Sequence, residues 1–362
     1  MSKLIRVLHT EWSDGWGGQE IRIINEMKYM RSNGVEVFLA CKKLSIIRNK
    51  ALENNIKVFI LPFKGNADLK TLIALKKIIK LNSIDIINTH SGKDTWVGGL
   101  AAKFSGIKFI RTRHLSQKIN PSKLNFINEL ADFIFTTGEQ VRLDMINNNR
   151  IKENNILSIP TGIDESLYNP TNYKIEECRR KFNLDSNEII IGILAVLRQF
   201  KRHDLFLKMA KQLKAKYPDK RFVFMIAGDG PQKESIQKLI HKLNLNSSVR
   251  LLGHISNTPE LLCALDILVL SSDSKEGVPQ SVMQGLFMNK PVVATNCGST
   301  KDLYFKKNFQ LVNPGDSSAL VEGISNYIDN NHEVFSRQHM INHYSSSVMT
   351  RSIIHIYKKI LG

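Results

Sequence analysis

At 362 residues and 42% hydrophobic, the chain has material for two cores, and it has no apolar run near the ~20 residues a membrane-spanning helix needs. Its formal charge of +18 suits nucleic acid, an anionic membrane surface or an anionic substrate; the basic residues are spread along the whole chain without a nucleic-acid-binding signature, so nucleic acid is not expected as a partner. Cys41, Cys178, Cys263 and Cys297 stand far apart with neither paired nor metal-type spacing, which predicts reduced thiols, a cytoplasmic setting and no metal centre.

The opening MSKLIRVLHT is too short and too charged for a signal-peptide core and reads as a first strand over Leu4–Leu8. A helix is predicted over Glu20–Met30, then strands over Val35–Ala40 and Lys57–Leu61. Next come a helix over Leu69–Leu81, a strand over Ile84–Asn88, a helix over Thr95–Phe104, and strands over Lys108–Arg111, Phe133–Thr136 and Ile156–Ile159. Pro160, Thr161, Gly162 and Asn169-Pro170-Thr171-Asn172 form a turn-rich connector. Strands resume at Ile189–Val196, Phe222–Ala227, Val249–Leu252, Ile267–Leu270, Val292–Thr295 and Gln310–Val312, and a last helical pattern runs over Val348–Leu361. This alternation predicts an α/β chain of two tandem, doubly wound, Rossmann-like domains. We place them at 1–165 and 166–345, with 346–362 as a final helix in search of an apolar surface.

Ligands of such folds bind beyond the carboxyl ends of the strands, so the residues there are the candidates. Gly15-Trp16-Gly17-Gly18 precedes the first helix; it is either a backbone approach to phosphate or a tight structural turn, and it is not the GxGxxG of dinucleotide folds. His90 and His114 end adjacent strands, with Arg111 and Arg113 beside the second, and an imidazole there could accept or relay an acceptor hydroxyl's proton. Past Ile189–Val196 come Arg198 and Lys201, a planar fork and a point charge suited to a diphosphate. Gly228-Asp229-Gly230-Pro231 makes a turn into a helix. After Ile267–Leu270 a polar loop carries Asp273, Lys275 and Glu276, and Gly277 and Pro279 turn it into a helix over Ser281–Met288, closed by Asn289. An acid facing that helix start would hold neutral hydroxyls, because phosphate would repel it. Leu69–Leu81 mixes large apolar residues with Lys70, Lys76, Lys77 and Lys80; it is either a membrane-surface helix or a sheet-packing helix with snorkelling lysines.

In this order, GGQE (Gly17–Glu20), IPTGID (Ile159–Asp164), LRQFKRHD (Leu197–Asp204), AGDGP (Ala227–Pro231), VRLLGH (Val249–His254), LDILVLSS, EGVPQSVMQG and KPVVAT resemble the retaining glycosyltransferases of family 4. The resemblance implies the GT-B fold, two Rossmann-like domains across a cleft, with the C-terminal helix returning to the first domain. It implies a metal-independent hexosyltransferase without a cofactor, using a nucleotide-diphosphate sugar as donor. By position, Arg198 and Lys201 look like the family's diphosphate pair, Glu276 like the acid on the donor sugar, and His114 like the active-site histidine. Gly17, Gly18, Gly228, Gly230, Gly277, Val278 and Gln284 fall at donor-binding positions; His90, Arg111 and Arg113 are candidates on the acceptor side.

Two positions depart from the family pattern. Gln284 replaces the second Glu of the Glu-to-Glu motif, so ribose hydroxyls would meet a neutral amide. Thr161 stands where the hinge motif usually has Asn. The expected function is sugar transfer, with retention, to a glycan or lipid-linked acceptor in surface-polysaccharide or lipopolysaccharide synthesis, at the inner face of the membrane. The rival readings are a sugar-nucleotide epimerase of the same architecture and an inactive sugar-nucleotide-binding scaffold.

Overall fold

Strands with apolar residues at consecutive positions leave neither sheet face fit for water, so helices must cover both. The computed structural model describes residues 4–114, 119, 123–274, 276–306, 308–330 and 336–362, and it divides into two units, Met1–Gly162 with Ser346–Gly362, and Ile163–Ser345.

The first unit runs β1 (Ile5–Glu11), α1 (Gly18–Ser32), β2 (Val35–Cys41), α2 (Ile46–Glu53), β3 (Lys57–Ile60), α3 (Leu69–Leu81), β4 (Ile86–Thr89), α4 (Gly92–Ser105), β5 (Lys108–Arg113), β6 (Phe133–Thr136), α5 (Glu139–Asn149) and β7 (Ile156–Ser158). The second runs α6 (Ile175–Lys181), β8 (Glu188–Leu194), α7 (His203–Lys216), β9 (Arg221–Ala227), α8 (Lys233–Lys242), β10 (Val249–Gly253), α9 (Thr258–Ala264), β11 (Ile267–Leu270), α10 (Gln280–Phe287), β12 (Val292–Thr295), β13 (Gln310–Val312), α11 (Ser317–Asn330) and α12 (Arg337–Tyr344); α13 (Ser346–Leu361) closes the chain on the first unit. The sheets are ordered β3-β2-β1-β4-β5-β6-β7 and β10-β9-β8-β11-β12-β13, with every ladder parallel.

Alternating side chains feed opposite layers. Val7 joins α1, α2 and α13 residues such as Ile23, Ile47 and Ile353, while its neighbour Leu8 joins Leu75 and Val97 of α3 and α4. In the second sheet Ile190 and Leu268 pack with α9 and α10, and Ile191 and Val269 with α7 and α11. Strand order reverses direction at β1/β4 in one unit and at β8/β11 in the other. Those are the points where open α/β sheets leave a crevice for ligands.

Several boundaries shift from the sequence expectation, and three of the shifts take in polar residues at the ends of the first unit's strands. β1 continues through His9, Thr10 and Glu11, all wholly buried. β5 extends to Arg113. Helix α4 starts at Gly92 because Ser91 and Asp94 form a capping box. The units part a few residues before the boundary drawn at 165/166: Ile163 bridges to Ser345, and its N–H donates to the Tyr344 carbonyl at 2.9 Å. On the first unit, α13 buries Met349, Ile353, Ile356 and Tyr357, and the Tyr357 hydroxyl accepts from the Asn88 amide at 3.2 Å.

The GDGP turn owes its glycines to close backbone packing. Gly228 (φ +143°) would carry a Cβ 2.0 Å from the Ala195 carbonyl oxygen, and Gly230 (φ +155°) one 2.8 Å from the Leu197 oxygen. The turn clasps the loop after β8, since Leu197 N–H donates to the Asp229 carbonyl and Gln232 N–H to the Leu197 carbonyl, both at 3.0 Å. Gly228→Ala should therefore lower unfolding stability by roughly 2–4 kcal/mol, read by chemical denaturation, through overpacking and backbone strain together.

Candidate functional site

In the second unit the reversal of strand order brings the loops after β8 and β11 side by side. Ser271 donates its hydroxyl to the carbonyls of Lys201 (2.9 Å) and Arg202 (3.0 Å), and Asp273 N–H donates to the Phe200 carbonyl at 3.0 Å. Arg202 sits in the left-handed region (φ 51°) at the start of α7 and spans both loops, pairing with Asp204 at 2.8 Å and Asp273 at 3.0 Å. Those carboxylates, Asp204 first, hold its guanidinium above the usual range.

Within this frame Glu276 is buried, and one carboxylate oxygen, Oε1, accepts both from Lys201 Nζ and from Ser272 Oγ, each at 2.5 Å. The other oxygen takes no hydrogen bond from a described residue. Behind it stands Gly298 (φ 54°), where a Cβ would fall 1.9 Å from the Glu276 carbonyl oxygen. Thr295 Oγ1 donates to the Ser272 carbonyl at 2.5 Å, which pins the end of β11.

Of the paired cations expected from the sequence, only Lys201 meets Glu276. Arg198 is exposed, makes no side-chain hydrogen bond or ion pair with a described residue, and borders a hollow of about 570 Å³ lined also by Phe200, His203, Gln232 and Asp273. Gln284 is half-buried on α10, its amide without a hydrogen bond among the described residues. Gly277 is half-buried in the loop before α10. Val278 buries its side chain in the core, which leaves only its backbone for a donor. Lys275 lies outside the described residues.

In the first unit, the ends of β1, β4 and β5 gather a polar cluster. His9 Nδ1 lies 2.9 Å from His90 Nε2, and His90 Nδ1 lies 2.9 Å from His114 Nε2. Burial lowers all three imidazoles: His9 to about 3, and His90 and His114 well below their usual value. His114 also lowers His90, and Arg22, Arg113 and Arg111 lower His114. Asp94 accepts from Thr10 Oγ1 (2.7 Å) and from the N–H groups of His90 (2.9 Å) and Ser91 (2.8 Å). Glu11 accepts from Ser91 Oγ (2.7 Å) and Ser13 N–H (2.8 Å). Burial raises both carboxyls, and Glu11 raises Asp94 further.

Of the acceptor-side candidates, His90 (3% exposed) and Arg111 (4%) are buried. His114 and Arg113 are half-buried at the strand ends. Gly17 caps α1 with extended backbone (φ −158°), and its N–H donates to Glu20 at 2.8 Å; an added Cβ would make only ordinary contact, 3.6 Å from Glu20. Nothing in the described fold demands glycine there, in contrast to Gly228. Gly18 is exposed. Sequence reasoning missed His9, Glu11, Asp94, Ser272 and Gly298. The pairing of β1 with β4 is what brings His9 to His90, and hydrophobic periodicity carries no such signal.

Removing Lys201 strands a buried carboxylate. Lys201→Met should cost about 3 kcal/mol of stability in denaturant melts, and adding Glu276→Gln should restore most of it; equal losses in both variants would show that the pair is not structural.

Two family models cover adjoining parts of the chain: "Glycosyltransferase Family 4" over residues 16–167 and "Glycosyl transferases group 1" over residues 174–346. Among curated relatives, a putative glycosyltransferase EpsF of Bacillus subtilis is 24% identical, spanning 80% of this chain and 79% of its own. A UDP-Gal:alpha-D-GlcNAc-diphosphoundecaprenol alpha-1,3-galactosyltransferase of Escherichia coli is also 24% identical, spanning 81% of this chain and 79% of its own. Among solved structures, a glycosyltransferase from Rickettsia africae superposes with a TM-score of 0.89 at 22% identity over 99% of both chains. Anabaena HepE in complex with UDP and glucose gives 0.83 at 18% identity, over 98% of this chain and 100% of that one.

Proposed function

Since the chain is a glycosyltransferase of the GT-B fold and the family 4 kind, we propose that it moves a sugar, with retention of configuration, from a nucleoside-diphosphate donor to a hydroxyl of a glycan or lipid-linked acceptor. The observation that carries this is the half-used carboxylate of Glu276. Lys201 and Ser272 hold one oxygen, and among the described residues the other stays open for donor-sugar hydroxyls and Arg198, at the same strand reversal, has no side-chain partner. Arg198 would take the diphosphate as a planar fork, and Lys201 would add a point charge. Together they neutralise the leaving group as the sugar C1–O bond breaks, a role that needs no metal. The acceptor oxygen bonds to C1 on the same face, and its proton passes to the departing diphosphate. Gln284 would meet ribose hydroxyls with its amide, and the glycine at Gly17, which the fold does not demand, suits a close phosphate approach.

HepE was solved with UDP and glucose, and the Escherichia coli relative is named for UDP-Gal and a diphosphoundecaprenol acceptor. UDP-sugars are therefore the first donors to try, and a diphosphoundecaprenol-type acceptor would suit the synthesis of a surface polysaccharide or lipopolysaccharide. In a thermal-shift panel of UDP-, GDP-, ADP- and dTDP-sugars, one base should raise Tm above the rest. With that donor, Arg198→Ala should cut turnover by roughly a hundredfold, the scale of losing one donor to transition-state charge. A loss of only a few-fold, or no shift with any sugar nucleotide, would refute the assignment.

A lipid-linked acceptor would bring the enzyme to a bilayer, although no helix among the described residues is long and apolar enough to cross one. The outer arc of α3 suits an anionic lipid surface. Leu69 (68% exposed), Ile73 (68%) and Leu81 (71%) share it with exposed Lys70, Lys76, Lys77 and Lys80, and the helix contains no acid. Lys76 lies over the exposed Phe104 ring at 5.8 Å. Lysines near such a surface contribute about 1 kcal/mol each at moderate ionic strength. The protein should float with phosphatidylglycerol vesicles at low salt, lose most binding at high salt, and lose it in Ile73→Glu. Equal recovery with phosphatidylcholine, or no flotation at low salt, would overturn this placement.

A further inference from the structure

Sugar transfer with the leaving diphosphate as base gives no role to the three imidazoles that stand in series in the first unit, His9, His90 and His114. His9 and His90 lie nearly coplanar, ring centroids 5.2 Å apart and 9° from parallel, as an in-plane N–H···N bond requires. A neutral imidazole carries one N–H and one bare nitrogen. Two contacts in series, His9 Nδ1 to His90 Nε2 and His90 Nδ1 to His114 Nε2, therefore permit only two hydrogen arrangements. In the inward arrangement His114 donates to His90 and His90 to His9, so the last hydrogen sits on His9 Nε2. That atom is buried with no hydrogen-bond partner among the described residues. In the outward arrangement His9 donates to His90 and His90 to His114, and the orphan at His9 Nε2 is only a bare lone pair. An orphaned buried N–H is the rarer and costlier of the two.

We propose that His9 and His90 are positioning residues that fix His114 as a neutral imidazole with its hydrogen on Nδ1, so that His114 meets the ligand as a hydrogen-bond donor and not as a base. Its partner is then an electron-rich oxygen, a sugar hydroxyl or a phosphate oxygen, and the acceptor's proton does not travel through it. The choice of ligand rests on the transferase reading; the tautomer does not. Arg22 of α1 and Arg111 and Arg113 of β5 surround the series and oppose an imidazolium, while Asp94 of α4 is engaged by the His90 backbone N–H, at 2.9 Å.

The test is nitrogen NMR of the full chain with 15N-labelled histidine, the signals assigned through single variants. At pH 7.5, His114 should show hydrogen on Nδ1 and a bare Nε2, and His9 and His90 the same. His9→Phe removes the donor at the head of the series, so His114 should then show a mixture of tautomers. In His9→Asn the amide N–H stands in for Nδ1–H, and the single tautomer should return. With the donor identified by the thermal-shift panel, turnover should fall roughly tenfold or more in His9→Phe with KM little changed, and recover in His9→Asn. Hydrogen on His114 Nε2, an imidazolium, or an unchanged His114 tautomer in His9→Phe would each overturn the proposal. Should His9→Phe fail to fold, the wild-type spectrum alone decides. A failure to bind any sugar nucleotide would refute the transferase reading and leave the spectral result standing.

Discussion

A carboxylate taken out of water must be answered by a cation or by several donors, and in the second unit the described residues answer Glu276 on one oxygen. Lys201 and Ser272 converge on it, and everything around the pair serves to keep them there. Ser271 and Asp273 tie one loop to the other, Arg202 bridges both, and Gly298 leaves room for the Glu276 backbone. The GDGP turn holds the loop that carries Arg198. The geometry is thus set before any ligand arrives. A preset charge arrangement does not have to reorganise as charge develops on the leaving group.

The first unit solves a different problem, because its strand ends carry more polar groups than water can reach. Thr10, Ser91 and the His90 backbone satisfy Asp94, and Ser13, Gln19 and Ser91 satisfy Glu11. The imidazoles satisfy one another. A fully connected buried network specifies a single arrangement, and a partly connected one is costly. Here the loose ends among the described residues include His9 Nε2 and, around the series, nitrogens of Arg22 and Arg111.

Much of this architecture could be read from the chain alone, since parallel strands buried on both faces appear as runs such as ILVL and helix α3 is bounded by its own Asp68 cap. Glu276, Lys201 and Arg198 were visible because they follow apolar runs at strand ends. What stayed hidden was polar and distant. His9 and Glu11 look like the residues after a strand, yet they are part of it, and His9 meets His90 only because β1 pairs with β4. Gly228 looked like a ligand-facing glycine, whereas its constraint is the Ala195 carbonyl. His90 and Arg111 are buried, and no periodicity records that.

The return of the last helix has a kinetic consequence. Tyr357, Ile353 and Met349 fill the layer that Val7, Ile23 and Met27 began, and Tyr357 bonds Asn88 across 269 positions of sequence. A ribosome emitting this chain would release every residue of Ile163–Ser345 before the piece that closes the earlier half. The part made first is thus finished last, and until then it keeps an open greasy seam. Contacts of such long range slow folding, and exposed seams of this kind are what chaperones and proteases recognise.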